Sequence, residues 1–135
     1  MTRNIALGNG YYCIMEMNIE EFESEILDVL EDLPQKFKDK FDNISFLIEE
    51  EGISPFLNDK SGGPRFTLGL YHGVPMPSKG SRPRSLPDKI IIYKKSIEAV
   101  SRDTASLKKN IKRVVLHEIG HYFGLSEDRL KELGY

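Results

Sequence analysis

The chain has 135 residues, which is the size of one ordinary domain with a single hydrophobic core. Hydrophobic residues make up 39% of it and charged residues 30%, which describes a soluble globular protein and excludes a disordered one. The formal net charge is −2, with both signs mixed along the chain, so the electrostatics do not indicate a nucleic-acid partner.

Three features of the sequence favour a cytoplasmic location. The one cysteine, Cys13, excludes an internal disulfide and fits a reducing compartment. No apolar run approaches the roughly 18 residues that a membrane span needs, so we expect no membrane partner. The stretch "IALGNGYYCIMEM" is too short, too polar and too interrupted by glycine for a secretory signal.

The first part of the chain divides into an extension and a helix. Residues 1–17 carry no helical period, and "YYCIM" could be a short strand or an extension without fixed structure, so we treat 18–135 as the single domain. A helix is predicted at "NIEEFESEILDVLEDLP", where Asn18 and Glu21 resemble a capping box and Pro34 marks the end. Its apolar residues recur at helical spacing: Ile19, Phe22, Ile26, Leu27, Val29, Leu30 and Leu33.

Three strands are predicted in the middle of the chain. In "NISFLIEE", Ile44, Phe46 and Ile48 alternate with other residues, which is typical of a strand with one buried face. "FTLGLY" is predicted as a second strand and "DKIIIYK" as a third, well-buried one. Residues 52–64 and 72–87 are rich in loop formers, so a loop is predicted at each.

The last part of the chain is predicted to be helical. A short helical piece begins at Ser96, a long helix extends from Asp103 or Thr104 through Phe123, and a last turn or two begins at Ser126. The order of elements indicates an α+β fold, in which a small mixed sheet of three to four strands packs against helices.

The long helix contains the motif "HEIGHYFGLSED". His117 and His121 lie four residues apart, which is one helical turn, so both imidazoles can face one ion. Val115 and Ile119 fall on the opposite side and are expected to pack in the core. Gly124 permits a left-handed conformation that reverses the chain. The two histidines are therefore candidate metal ligands, and the alternative is a pair of ordinary surface or core histidines.

Two histidines alone leave a metal ion under-liganded, because a catalytic zinc takes three protein ligands and an open water position. Glu127, ten residues after His117, has the spacing of a third ligand, although Asp128 competes and either carboxylate could instead cap the following helix. Glu118 can accept a proton from the attacking water and give it to the leaving amine. We therefore predict one Zn²⁺ per chain held by His117, His121 and Glu127, with Glu118 as the general base.

The stretch "VVLHEIGHYFGLSEDRLKELGY" resembles the small bacterial zincin-like metallopeptidases, or minimal zincins, whose signature is similar to that of the metzincins. Further segments occur in the order that this family shows: "FESEILDVLEDLP", "FDNISFLIEE", "TLGLYHGVP" and "LPDKIIIYKKSIEAV". The resemblance extends from about residue 18 onward. It implies a zincin-like fold with the H-E-x-x-H helix near its C-terminus, His117, His121 and an acidic third ligand matched here by Glu127, and Glu118 as base.

The chain departs from the larger metzincins in two ways. Those proteins place a histidine or an aspartate third and a methionine-containing turn beneath the metal, whereas this sequence has Glu127 there and no methionine after Met76. The short tail leaves almost no C-terminal subdomain to form a wall of the cleft. A deep specificity pocket is therefore not expected.

The motif and the resemblance together favour a zinc metallopeptidase that acts on peptides or exposed protein segments. The alternative is a metal-binding regulatory or interaction module with little or no turnover, and Glu118 argues against it because a purely structural metal site needs no base. A zinc hydrolase acting on nucleic acid is disfavoured by the charge balance. The oligomeric state stays open, with a monomer favoured. We expect the substrate backbone to lie along the "FTLGLY" strand, where Gly69 predicts close backbone approach.

Several other residues have both a functional and a structural interpretation. His72, Tyr71 and Tyr122 could contact substrate, but an exposed loop histidine and packed tyrosines with satisfied hydroxyls are the simpler expectation. The basic segments "KKSIEAVSRD" and "SLKKNIKR" are interpreted as solvated helix faces. Gly120, in the middle of a helix, predicts the close approach of another backbone.

Overall fold

The computed structural model describes residues 2–7, 10–41, 43–50, 53–58, 64–73 and 87–135. The strands are β1 (Thr2–Leu7), β2 (Gly10–Met15), β3 (Ile44–Glu49), β4 (Ile53–Asn58), β5 (Pro64–Phe66), β6 (Gly69–His72) and β7 (Asp88–Tyr93). The helices are α1 (Ile19–Glu31), α2 (Gln35–Lys38), α3 (Lys94–Ala99), α4 (Thr104–Tyr122) and α5 (Glu127–Glu132). Within these ranges, no helix combines the length and the apolar character that crossing a membrane requires.

A three-stranded mixed sheet lies at the centre of the fold, in the order β3-β7-β6. β3 is parallel to β7, and β6 is antiparallel to β7. The central position of β7 explains its nearly continuous apolar sequence: Ile90 and Ile92 have no exposed surface, and Tyr93 is also buried. The predicted α+β fold with a small mixed sheet packed against helices is confirmed.

The two long helices begin at capped ends and pack against each other. The side-chain oxygen of Asn18 accepts the N–H of Glu21 at 2.8 Å at the start of α1, as the capping-box pattern predicts. Asp103 caps α4 by accepting the N–H of Ser106 at 2.7 Å, and the Ser106 hydroxyl accepts the N–H of Asp103 at 3.1 Å. The helix predicted from Asp103 or Thr104 is therefore confirmed at its first residue.

The hydrophobic core lies between these two helices and the sheet. It is made of buried apolar side chains from α1, β7, α3 and α4: Met17, Phe22, Ile26, Val29, Ile90, Ile92, Ile97, Leu107, Ile111, Val114, Val115 and Ile119. α4 contacts α1, β6 and β7. Its apolar face packs in the hydrophobic core, and another face of the helix lies beside the edge strand β6. The predicted core positions Val115 and Ile119 are confirmed as buried.

One loop and one strand that were predicted in the middle of the chain differ from the structure. Residues 52–64, predicted as loop, contain β4 and the first residue of β5, which pair as an antiparallel hairpin. "FTLGLY" is not one strand: Phe66 ends β5, and β6 begins only at Gly69. The Thr67 hydroxyl donates to the carbonyl of Gly69 at 2.8 Å, and this turn separates the two strands. "YYCIM" is part of β2, paired with β1, and the loop predicted at 72–87 lies mostly outside the described residues.

The segment "KKSIEAVSRD" was predicted to be a solvated helix face, and that interpretation is wrong for α3. Lys94 and Glu98 are 6% and 4% exposed, and their Nζ and Oε2 atoms lie 3.0 Å apart. The same Glu98 oxygen accepts the backbone N–H of Met17 at 2.7 Å. The two charges compensate each other, so the pair can be buried although each residue alone is of a type that is usually exposed.

Candidate metal centre

α4 presents its motif residues at the surface that faces β6. His117 and His121 are partly exposed, with ring centroids 4.9 Å apart, while Glu118 between them is only 7% exposed. The ligand atoms of these three side chains lie within 4.8 Å of one another. The one-turn spacing therefore brings both imidazoles to one point, as predicted from the sequence.

A Schellman motif follows α4 and turns the chain back toward the histidines. The N–H of Leu125 donates to the carbonyl of Gly120 and the N–H of Gly124 to that of His121, both at 2.9 Å. Gly124 has a φ of 89°, the left-handed conformation that was expected at this glycine. Ser126 then caps α5 by accepting the N–H of Arg129 at 3.1 Å, which places Glu127 in the first turn of that helix.

The Glu127 carboxylate reaches both imidazoles. Its Oε1 lies 2.7 Å from Nε2 of His121, and its Oε2 lies 3.2 Å from Nε2 of His117. The two imidazole Nε2 atoms are 3.2 Å apart. A tetrahedral zinc site with bonds of about 2.0–2.1 Å separates its ligand atoms by about 3.3 Å. Two of the three separations match this value, and the shorter one involves an exposed side chain that can rotate.

The backbone carbonyl of Leu125 sets the tautomer of His121. It lies 2.9 Å from Nδ1 of His121, so Nδ1 carries the proton that it donates to this oxygen. The lone pair of the ring is then on Nε2, which is the atom that faces Glu127 and His117. An outer hydrogen bond of this kind is what a metal-binding histidine requires. The donor set therefore fits a zinc ion in chemistry as well as in spacing.

Glu118 lies beside these donors but is held from a different direction. The backbone of Tyr71 in β6 lies near its carboxylate and favours the charged form. Burial raises the pKa of Glu118 above its ordinary value, while the adjacent imidazoles and the Tyr71 N–H oppose that rise. Burial also tends to raise the pKa of Glu127, but its contacts with the two imidazoles outweigh burial and lower that pKa. The two carboxylates therefore differ in environment, with the pKa of Glu118 raised and that of Glu127 lowered.

An open cleft of about 950 Å³ lies over the histidines and Glu118. β6 forms one wall, through Gly69 and Tyr71 among others, and the end of α5 contributes Lys131. A Cβ atom on Gly69 would lie 2.7 Å from Cγ1 of Val114 and 3.2 Å from Cγ of Glu118. Gly69 therefore lies in close contact with side chains of α4 and with the backbone carbonyl of Ile91 in β7, which the same Cβ atom would approach to 3.3 Å. The expected approach of a substrate backbone stays a prediction.

The remaining candidate residues occupy ordinary structural positions. The Tyr71 hydroxyl donates to Asp88 at 2.8 Å, and the hydroxyl of buried Tyr122 donates to the carbonyl of Lys40 at 3.0 Å. His72 is exposed at the end of β6, and Asp128 is exposed in the first turn of α5. Of the two competing carboxylates, Glu127 is the one with contacts to the histidines.

Sequence reasoning missed the backbone groups that orient the site. The Leu125 carbonyl and the Tyr71 N–H have no side-chain signature, although the reversal expected at Gly124 already placed the following residues near His121. The basic residues of α4 near the cleft were visible as "SLKKNIKR", but only the helix geometry brings Arg113 one turn before His117.

An α+β domain with an H-E-x-x-H helix near its C-terminus and a carboxylate returned by a glycine turn is the architecture of a zincin-like protein. The sequence model of the zincin-like metallopeptidase family matches residues 41–135, and the chain belongs to this family. Membership in the family agrees with the resemblance drawn from the motif.

Comparison with solved structures supports the fold. A conserved hypothetical protein from the bacterium T. thermophilus superposes with a TM-score of 0.51 at 21% identity, covering 78% of this chain and 92% of that one. Comparison with curated proteins gave no match.

Proposed function

We propose that the protein is a zinc-dependent metallopeptidase that hydrolyses peptide bonds, with His117, His121 and Glu127 as metal ligands and Glu118 as general base. The observation that carries this proposal is the convergence of three donor atoms, 2.7–3.3 Å apart, beside a buried carboxylate at the floor of an open cleft. A structural metal site has four protein ligands and is closed. The alternative, a regulatory metal-binding module, gives no role to Glu118.

The chain's own residues supply positioning and proton transfer. Zn²⁺ held by the three ligands would polarise the peptide carbonyl and lower the pKa of a water molecule to about 7. Glu118 accepts the proton of the attacking water and passes it to the leaving amine. Glu118 is buried beside the Tyr71 N–H, and burial raises its pKa, which favours the carboxylate as a proton acceptor. The Leu125 carbonyl keeps the His121 ring in place.

We propose that the substrate backbone lies along β6. This strand is at the edge of the three-stranded sheet and beside α4. The carbonyl of Leu68 accepts the N–H of Tyr93 at 3.0 Å, so the backbone groups of Leu68 and Leu70 point toward β7. Those of Gly69 and Tyr71 point away from β7, because the direction alternates along a strand. The N–H of Gly69 and the C=O of Tyr71 are therefore directed into the cleft, where they can pair with an extended peptide.

N-methylation of a cleaved peptide, one residue at a time, tests this placement. We expect kcat/KM to fall at least tenfold at positions two residues apart, because a methyl group removes a backbone donor and crowds the strand edge. Positions between them are the internal control. A uniform response along the peptide would mean that the substrate does not pair with β6.

The reaction itself is tested by zinc content and by digestion of a peptide library with wild type and Glu118→Gln. We expect one zinc per chain in both proteins and a loss of about 10²-fold or more in kcat for the variant, the range typical of a general base. Glu132→Gln, an isosteric change in an exposed ion pair of α5, is the matched control. Zinc binding without cleavage by wild type would favour the regulatory module.

The remaining expectations from the sequence stay proposals. We place the protein in the cytoplasm, which rests on its one cysteine, and we propose a monomer that acts on peptides or exposed protein segments. Nucleic acid and membranes are not among the proposed partners.

A further inference from the structure

A row of cations continues the line of the histidines along α4. Lys109, Arg113 and His117 are each four residues apart, so they lie on one side of the helix at intervals of about 6 Å. Lys112 is also exposed on this part of α4. Arg113 lines the cleft over the metal centre, and Lys131 of α5 lines it too. We refer to Lys109, Lys112, Arg113 and Lys131 as the cationic wall.

The cationic wall extends past the cleft into a second depression of about 540 Å³. Lys109, Lys112 and Arg113 line this depression, and Arg113 and Tyr135 line both spaces. The two hollows therefore adjoin at Arg113. A bound chain that leaves the metal centre along α4 meets one cation after another.

The charges of the wall are not neutralised within the described part of the chain. There, no ion pair involves any of its four members, whereas neighbouring Lys108 pairs with Glu25 of α1 at 3.3 Å. Among those residues, the carboxylates that line the cleft are Glu118 and Glu127, and both are engaged at the metal centre. A concave surface with an excess of one charge sign concentrates ligands of the opposite sign, even on a chain whose net charge is −2.

We propose that the cationic wall binds carboxylates of the substrate, so that the proposed peptidase prefers acidic peptides. This inference rests on the proposed function and names its substrate class. An extended peptide advances about 3.3 Å per residue, so a carboxylate two residues from the scissile bond at His117 reaches Arg113, and one about four residues away reaches Lys109. The carboxylate can belong to a Glu or Asp side chain or to the peptide's C-terminus, since Arg binds either in the same way.

Peptide binding to the full-length Glu118→Gln protein, loaded with zinc, separates recognition from turnover. The probes are fluorescent peptides that differ by Glu or Gln at each position near the cleavage site, each with a free or an amidated C-terminus. We expect the Glu peptide to bind about threefold to fivefold tighter than its Gln counterpart at low salt, the range of an exposed ion pair, and the difference to shrink at high salt.

Replacement of the wall residues identifies the cause of that preference. In the same background, Arg113→Gln and Lys131→Gln should bring the two affinities to within about twofold, while leaving the binding of the amidated Gln peptide unaffected. Lys108→Gln is the matched control, because it removes one charge from the same helix at a residue paired with α1. Circular dichroism verifies that each variant is folded. A preference for Glu over Gln peptides identifies a side-chain carboxylate, whereas weaker binding of the amidated than of the free peptides identifies the C-terminus.

Several results would overturn the inference. Equal affinity for the Glu and Gln peptides together with equal affinity for free and amidated C-termini, or a preference retained in the double variant Arg113→Gln/Lys131→Gln, would show that the wall does not bind carboxylates. If a single-stranded oligonucleotide bound more tightly than the acidic peptides, and the variants lost that binding, the ligand of the cationic wall would be nucleic acid and not a peptide. Equal cleavage of neutral and acidic peptides would contradict this inference alone. Selective binding of acidic peptides without cleavage by wild type would contradict the proposed function instead.

Discussion

Leu125 contributes its backbone carbonyl, and not its side chain, to the metal centre. At the scale of single residues, the convergence of His117 and His121 could be predicted from their spacing, because helix geometry alone puts positions four apart on one face. The orienting contacts from Leu125 and Tyr71 could not, since any residue type offers the same carbonyl or N–H.

The choice between Glu127 and Asp128 as third ligand can be settled by substitution. We expect Glu127→Ala to weaken zinc binding at least tenfold, because its carboxylate is the one within 2.7–3.2 Å of the imidazole Nε2 atoms. Asp128→Ala, which removes a carboxylate from the same first turn of α5, should leave the affinity unchanged. Competition with a chromophoric chelator measures both. The reverse order of effects would move the ligand by one residue.

The close approach that the sequence predicts at Gly120 is present, but the neighbouring group differs from the predicted one. A Cβ atom there would collide with Cδ2 of Leu130, a side chain of α5 that is 1% exposed, and not with another backbone as predicted. We expect Gly120→Ala to lower the free energy of unfolding by about 1–2 kcal/mol, since overpacking outweighs the gain of about 1 kcal/mol in helix propensity.

Urea denaturation of Gly120→Ala, Leu130→Ala and the double variant checks that reason. If the overlap with Leu130 causes the loss, Gly120→Ala should become neutral or stabilising in the Leu130→Ala background. Additive effects would assign the loss to another cause.

At the scale of elements, the sequence predicted the helix ends, because these depend on residues that are close together in the chain. α1 and α4 were placed to within a residue or two because Asn18, Asp103 and Gly124 terminate them through their own backbone and side-chain preferences. The hairpin of β4 and β5 was missed because "GISPFLNDKSGGP" has the composition of a loop, and pairing between strands is not encoded in either strand alone. The burial of α3 was missed because it depends on Glu98 meeting Lys94 and Met17.

Removal of one partner from the buried Lys94–Glu98 pair of α3 should destabilise the fold strongly. We expect Glu98→Ala to cost about 3–5 kcal/mol, because it leaves the charge of Lys94 uncompensated in the protein interior. It also leaves the Met17 N–H without the acceptor that it now has. Chemical denaturation monitored by circular dichroism measures the loss.

Two control variants test whether the loss of stability in Glu98→Ala is caused by the burial of the ion pair. Glu132→Ala breaks the exposed Arg129–Glu132 pair of α5 and should change stability by less than about 1 kcal/mol. The double variant Lys94→Met/Glu98→Leu should recover most of the stability lost in Glu98→Ala. Equal costs for the buried and the exposed pair would mean that solvent reaches α3.

At the scale of the whole molecule, the metal centre is built at the rim of a core that does not include it. The buried cluster joins α1, β7, α3 and α4 on one side of α4, and the histidines lie on the other. That division follows from the sequence, because the apolar positions of α4 and its histidines occupy opposite faces of one helix. The position of the edge strand beside them could not be predicted, since it depends on long-range pairing of β6 with β7.

Because the core forms without the metal donors, removal of zinc should leave the fold intact. We expect chelation to preserve the helical circular dichroism signal and to lower Tm by about 5–10 °C relative to protein with free zinc at 100 times Kd, which corresponds to about 2.7 kcal/mol of linked stabilisation. The variant His117→Ala/His121→Ala is the control, and its Tm should not respond to zinc or to chelator. A small domain that needs its metal to fold loses its secondary structure on chelation. Loss of the helical signal here would therefore mean that the ion is structural, and it would favour the regulatory module over the peptidase.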